Sequence, residues 1–103
     1  MPATAVAART VVVADDTAFV RDRFRAALEA AGHRAHAVRN AGELLARVKA
    51  DLDQIDLLVL DLRLPQANGV ELVRALRRLD PSRPPIIVFS GTIASALEVR
   101  RSE

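Results

Sequence analysis

The chain contains no cysteine, tryptophan or tyrosine, and its three aromatic residues are all phenylalanine. The lack of cysteine excludes disulfide bonds and thiolate metal sites, and it is compatible with a reducing cytoplasm. No apolar run reaches the ~20 residues of a membrane-spanning helix. The small-residue stretch 1–8 also lacks the basic and apolar regions of a signal peptide. We predict a single cytoplasmic domain over residues 1–103, with a loose leader at 1–8, whose core consists of alanine, valine, leucine and isoleucine.

Lysine is scarce as well, since Lys49 is the only one beside fourteen arginines. The formal net charge is nevertheless only +2. A nucleic-acid partner normally requires a more strongly basic surface. The charge therefore argues against nucleic-acid binding.

Three short apolar runs, each followed by an acid or a hydroxyl, form the strongest pattern in the chain. Continuous aliphatic runs separated by helical patterns are typical of parallel strands covered on both faces. Ligands of such sheets bind at the carboxyl ends of the strands, so the polar side chains should meet in one crevice. The runs and the residues that follow them are 11–14 with Asp15 and Asp16, 57–60 with Asp61, and 86–89 with Ser90.

Apolar residues recur at helical spacing between these runs, over 17–31, after a capping Asn40, over 70–79 and over 93–101. A polar–apolar alternation at 34–38 predicts an edge strand. The pattern is βαβαβαβα, the doubly wound α/β class. The residues expected to face the sheet are Val20, Phe24, Ala27, Leu28 and Ala31 in the first helix, Leu44, Leu45 and Val48 in the second, and Leu72, Val73, Leu76 and Leu79 in the third.

The acids at the strand ends carry the predicted chemistry. Clustered carboxylates repel one another, and a hard divalent cation such as Mg²⁺ would hold them together. Beside a metal held by Asp15 and Asp16, Asp61 would be a nucleophile toward a phosphoryl group, and the metal would bridge Asp61 to the phosphoryl oxygens. Taken singly, the same residues also fit helix caps and an Asx turn. Independent caps, however, have no reason to fall at the ends of three adjacent strands.

These residues resemble the receiver domain of two-component response regulators. The match comprises the apolar run before Asp15, Asp16 and Thr17, the run before Asp61 with Pro65 and Asn68-Gly69 behind it, and Phe89-Ser90-Gly91. The resemblance implies a flavodoxin-like parallel sheet, here with strand order 2-1-3-4 and with the fifth strand and fifth helix missing. It also implies phosphorylation of Asp61 by a sensor histidine kinase or phosphotransfer protein. The resemblance further implies that Asp16 binds Mg²⁺ directly, that Asp15 binds it through water, and that the Arg63 carbonyl is another ligand. It also implies that Ser90 donates a hydrogen bond to the phosphoryl group.

The sequence departs from the family in having no lysine near the end of a fifth strand. The presence of Asp15, Asp16, Asp61 and Ser90 nevertheless favours a stand-alone switch that acts through protein contacts and is at most an autocatalytic phosphoacceptor rather than an enzyme. The missing lysine and C-terminal elements favour the alternative, a phosphorylation-independent interaction or dimerisation module derived from a receiver. We also predict a homodimer, because the edge of the fourth strand would be exposed. Two copies could pair through their fourth strands or exchange their terminal helices.

Overall fold

The computed structural model describes residues 7–64 and 67–89. Within these ranges four strands alternate with three α-helices, and a short 3₁₀ helix follows the second. Most of the predicted leader, the predicted helix at 93–101, Pro65 and Ser90 lie outside the described residues. The elements are β1 (Thr10–Ala14), α1 (Ala18–Ala30), β2 (Arg34–Val38), α2 (Ala41–Asp51), the 3₁₀ helix (Leu52–Gln54), β3 (Leu57–Asp61), α3 (Gly69–Leu79) and β4 (Ile86–Phe89).

The four strands form one parallel sheet in the order β2-β1-β3-β4. In the middle of the sheet Val13 lies between Ala37 of β2 and Val59 of β3. The predicted flavodoxin-like order 2-1-3-4 is confirmed. Because all strands run in the same direction, the residues at their carboxyl ends share one edge of the sheet.

The core is divided between the two faces of the sheet, since successive strand residues point to opposite sides. On the face covered by α2 and α3, a large cluster includes fully buried Val12, Leu44, Leu58 and Leu76. On the other face a smaller cluster of Val11, Val13 and Val59 meets α1 through its partly buried residues Phe24 and Leu28.

Two predictions about helix faces are wrong in part. In α1, Val20, Phe24 and Leu28 are half-buried as expected, whereas Ala27 and Ala31 are exposed. No residue of α1 is fully buried, because the cluster beneath it is small. In α3, Leu79 is also exposed, since the contact with the large cluster stops at Leu76.

The starts of α2 and α3 are fixed by asparagine caps. The Glu43 backbone N–H donates to Asn40 Oδ1 at 2.9 Å, and the Arg39 N–H donates back to Glu43 Oε1 at 2.8 Å, so the capping arrangement predicted for Asn40 is confirmed. Asn68 Oδ1 likewise accepts two backbone N–H groups at the start of α3. Among the described residues, no helix is both long and apolar enough to cross a membrane.

Candidate functional site

Three aspartates meet at the carboxyl edge of the sheet. Asp15 directly follows β1, Asp61 is the last residue of β3, and these two strands are neighbours. One carboxylate oxygen from each of Asp15, Asp16 and Asp61 lies within 4.8 Å of the other two. The structure therefore brings together the three acids that the strand pattern placed at one edge. We call these three residues the aspartate cluster.

The two inner aspartates are held in the same way. Asp15 Oδ1 accepts the backbone N–H of Thr17 at 2.7 Å, and Asp61 Oδ1 accepts the backbone N–H of Arg63 at 2.9 Å. Each aspartate thus forms an Asx turn that reverses the chain as it leaves the strand. The turn uses one oxygen, and among the described residues the Oδ2 atom of each carboxylate accepts no hydrogen bond. The turn interpretation and the site interpretation of Asp61 are therefore compatible.

The outer aspartate is different, because Asp16 is exposed. Among the described residues, its carboxylate accepts only a long contact of 3.4 Å from the Thr17 hydroxyl. Thr17 occupies the N-cap position of α1 without a side-chain capping bond. The capping alternative for Asp16 and Thr17 is therefore wrong, and the Asp16 carboxylate faces solvent beside two buried acids.

Burial dominates the electrostatics of Asp61. The side chain is only 4% exposed, and this loss of solvent raises the pKa of Asp61 above its ordinary value. The N–H of Arg63 opposes the rise, whereas the nearby Asp15 and Asp16 carboxylates add to it. A buried carboxylate beside two others is electrostatically costly without a cation. The cluster is consequently a region where added positive charge is favourable.

The donor set fits a hard divalent cation. All three side chains offer carboxylate oxygens, which suit Mg²⁺ or Ca²⁺ and not a metal that prefers nitrogen or sulfur ligands. Mg²⁺ commonly uses one or two carboxylates and retains water, and the exposure of Asp16 leaves room for that water. The aspartate cluster could therefore hold Mg²⁺.

Other predicted site residues are only partly placed. Arg63 is exposed and contributes its backbone N–H to the Asx turn of Asp61. Ser90 lies outside the described residues, but it follows Phe89, which pairs with Asp61 in the sheet. Lys49 lies in the last turn of α2, which runs away from this edge of the sheet.

Sequence analysis missed one residue of this region. Arg21 of α1 donates from its guanidinium to the backbone carbonyl oxygen of Asp15 at 2.8 Å. A long side chain bound to a backbone atom leaves no motif or periodicity. The only available signal was its position on the first helical turn after the Asp15-Asp16 pair.

The parallel sheet with acids at the carboxyl ends of β1 and β3 is a doubly wound α/β fold with an acidic site, and the comparisons with known proteins identify the family. The sequence profile of the response regulator receiver domain matches residues 11–101. The chain therefore belongs to the response regulator receiver domain family, whose members are signalling modules of two-component systems.

Two curated relatives and one solved structure illustrate the match. Over 95 residues the chain is 36% identical to the sensor histidine kinase AruS of Pseudomonas aeruginosa, covering 89% of this chain and 9% of that protein. It is 30% identical to the response regulator receiver protein Anae109_2439 of Anaeromyxobacter sp., covering 92% of this chain and 39% of that protein. The chain thus spans less than half the length of these relatives.

The structural similarity extends over nearly the whole chain. The receiver domain of the histidine kinase CKI1 from Arabidopsis thaliana, solved in complex with Mg²⁺ and BeF₃⁻, superimposes with a TM-score of 0.72. The two sequences are 25% identical, and the match covers 91% of this chain and 75% of that one. The receiver fold predicted from the sequence is therefore confirmed.

Proposed function

We propose that this domain accepts a phosphoryl group on Asp61 from a phosphohistidine, with Mg²⁺ bound at Asp15, Asp16 and Asp61. The donor is a sensor histidine kinase or a phosphotransfer protein. The observation that carries the proposal is the aspartate cluster, in which a buried carboxylate lies within 4.8 Å of two more acids. Family membership and the Mg²⁺ complex of the CKI1 receiver support it.

The residues of the cluster have distinct proposed tasks. The Asx turn with Arg63 holds the Asp61 carboxylate at the sheet edge, and its oxygen forms the new bond to phosphorus as the bond to the donor imidazole breaks. Bound Mg²⁺ supplies charge neutralisation between the carboxylate and the incoming phosphoryl group. Exposed Asp16 is the proposed direct ligand, and Asp15 acts through water. The carbonyl oxygen of Arg63 is proposed as a further metal ligand. The hydroxyl of Ser90 is proposed to donate a hydrogen bond to a phosphoryl oxygen.

Mg²⁺ binding should be weak, because Mg²⁺ gives up its water reluctantly and the chain offers few ligands. Isothermal titration calorimetry of the unmodified chain, Asp16→Ala and Asp61→Ala measures it directly. We expect both variants to lose affinity and Asp22→Asn, at an exposed position on α1, to retain it. Equal affinity in all four proteins would place the metal elsewhere.

Phosphorylation can be tested without knowing the kinase. The chain is incubated with Mg²⁺ and acetyl phosphate, and its intact mass is then measured. We expect the mass to increase by one phosphoryl group, with no increase for Asp61→Asn and a normal increase for Asp22→Asn. Phosphorylation of Asp61→Asn would refute the assignment.

Transfer to Asp61 should be slow or the product short-lived. The only lysine among residues 1–103 is Lys49, in the last turn of α2, so no lysine of these residues pairs with the phosphoryl group. A charge-assisted hydrogen bond of that kind is worth about 1.5–3 kcal/mol. Should Arg63→Ala abolish the remaining phosphorylation, its guanidinium would be the substitute. The time course of the mass increase decides both points.

The output of the domain is proposed to be a protein contact, with no catalysis on free substrates and no nucleic-acid or membrane partner. Relatives that are much longer than this chain carry the same domain. The stand-alone mode and the cytoplasmic location therefore stay predictions.

A second candidate function is dimerisation through β4 without phosphorylation. Among the described residues β4 pairs only with β3. Ile87 is 53% exposed and Val88 40% exposed, and these two residues lie on opposite faces of the strand. An exposed apolar edge of this kind favours pairing with another strand. A second copy of the chain is the proposed occupant, with exchange of the predicted helix 93–101 as an additional contact.

Light scattering over a concentration series tests the dimer. We expect a dimer at protein concentrations on the order of tens of micromolar. Val88→Lys should give a folded monomer, whereas Val70→Lys, at an exposed site on α3, should remain dimeric. A monomer at all concentrations would exclude this candidate.

A further inference from the structure

Asp15 makes three hydrogen bonds to other residues. Two of its partners are backbone groups, and the third is a side chain, which can be replaced by mutation. Its N–H donates to the Val38 carbonyl at 3.1 Å, and its Oδ1 accepts the Thr17 N–H at 2.7 Å. Its own carbonyl oxygen accepts the guanidinium of Arg21 at 2.8 Å. Asp15 itself is only 1% exposed.

The Arg21 contact closes a ring of hydrogen bonds. The backbone N–H of Arg21 donates to the backbone carbonyl oxygen of Thr17 at 3.0 Å, and this is the first helical hydrogen bond of α1. The side chain of the same residue then returns to Asp15. The first turn of α1 is therefore tied to the end of β1, across the peptide that joins Asp15 to Asp16. Within residues 7–64 and 67–89 the Asp16 side chain makes only a long contact, so the direction of its carboxylate depends on that peptide.

We infer that Arg21 is a positioning residue for the metal site, acting through its bond to the Asp15 carbonyl. The inference rests on the proposed function. It assigns no contact between Arg21 and the metal or the phosphoryl group. Arg21 fixes the Asp15–Asp16 peptide so that both carboxylates are presented together to one cation.

The charge of Arg21 would act in the opposite direction to its positioning role. A cation beside the cluster repels Mg²⁺, so charge alone predicts tighter binding when Arg21 is neutralised. The positioning role predicts weaker binding. The sign of the change in Mg²⁺ affinity therefore separates the two roles.

The experiment measures Mg²⁺ dissociation constants by calorimetry in four proteins, the unmodified chain, Arg21→Met, Arg21→Lys and Arg25→Met. Removal of an outer partner of a metal ligand typically weakens binding by about 10-fold or more, and we expect that loss for Arg21→Met. Arg21→Lys retains a long cationic side chain that can donate to the Asp15 carbonyl oxygen. Its Mg²⁺ dissociation constant should therefore stay within about 3-fold of that of the unmodified chain. Arg25→Met removes the same charge from an exposed position of α1 and should not weaken binding.

The outcomes are distinguishable. Unchanged or tighter binding by Arg21→Met would overturn the inference while leaving the metal assignment intact. Absence of saturable Mg²⁺ binding by the unmodified chain would overturn both. Circular dichroism verifies folding, and if Arg21→Met does not fold, the neutral and shorter Arg21→Gln replaces it with the same expectation.

Discussion

Replacing Asp61 with asparagine should make the metal-free protein more stable. The change removes a buried negative charge and preserves the size of the side chain. An amide oxygen can still accept the backbone N–H of Arg63, which holds the carboxylate at 2.9 Å. The variant therefore retains the Asx turn and loses the repulsion.

The magnitude follows from the geometry of the aspartate cluster. Two unit charges 4.8 Å apart repel by about 0.9 kcal/mol in water and about 3.5 kcal/mol at an effective dielectric constant of ~20. The weaker hydrogen bond of a neutral amide offsets about 0.5–1.5 kcal/mol of the gain. At the protein-like dielectric constant the net stabilisation is therefore about 2–3 kcal/mol, which corresponds to a rise in Tm of at least about 8 °C in a domain of this size.

The gain should depend on pH in a defined direction. Burial raises the pKa of Asp61 in the folded protein above its ordinary value of 3.8, so the folded state binds this proton more tightly than the unfolded state. The stability of the unmodified chain should then fall as the pH rises from the unfolded pKa through the folded pKa. The asparagine variant lacks this contribution. The difference between the two proteins should be smallest in acid and largest at neutral pH.

Urea unfolding in EDTA at several pH values measures this difference, with Asp22→Asn as a control expected to change stability by less than about 0.5 kcal/mol. Added Mg²⁺ at ten times its dissociation constant should stabilise the unmodified chain by about 1.4 kcal/mol and the asparagine variant less. A destabilised variant in EDTA, or a gain that does not vary with pH, would refute the argument.

The remaining predictions concern the helices that frame the site. In Gly69→Ala a new Cβ would lie 2.9 Å from Leu62 Cδ2 and 3.2 Å from the Leu62 carbonyl oxygen, so we expect a loss of about 1–3 kcal/mol in urea unfolding. Gly42→Ala, whose Cβ would meet only Asn40 Oδ1 at 3.4 Å, should instead gain up to about 1 kcal/mol, and equal effects would contradict the steric argument. Asn68→Ala should cost about 1 kcal/mol by the same assay, because two N–H groups of α3 lose their cap; an unchanged stability would show that water replaces the cap.

The local pattern of the sequence was sufficient for the elements and their order. Residues 11–14 and 57–60 are continuous aliphatic runs, and such runs become central parallel strands because both faces are covered. Asn40 caps α2 through a contact only three residues away, which is why local sequence was enough to predict that cap. The meeting of Asp15 and Asp61 also followed from sequence, because strand ends in a parallel sheet share one edge.

What the sequence could not determine depends on distances between residues far apart in the chain. Neighbouring Asp15 and Asp16 are chemically identical, yet one is buried and the other exposed, since only the packed sheet decides which carboxylate points inward. The exposure of Ala27 likewise reflects the small cluster beneath α1 and not the periodicity of the helix itself. The raised pKa of Asp61 and the Arg21 contact with the Asp15 carbonyl are of the same kind. Composition and spacing determined which groups are available, and tertiary packing decided their solvation and partners, because burial and electrostatic interaction depend on distance in space.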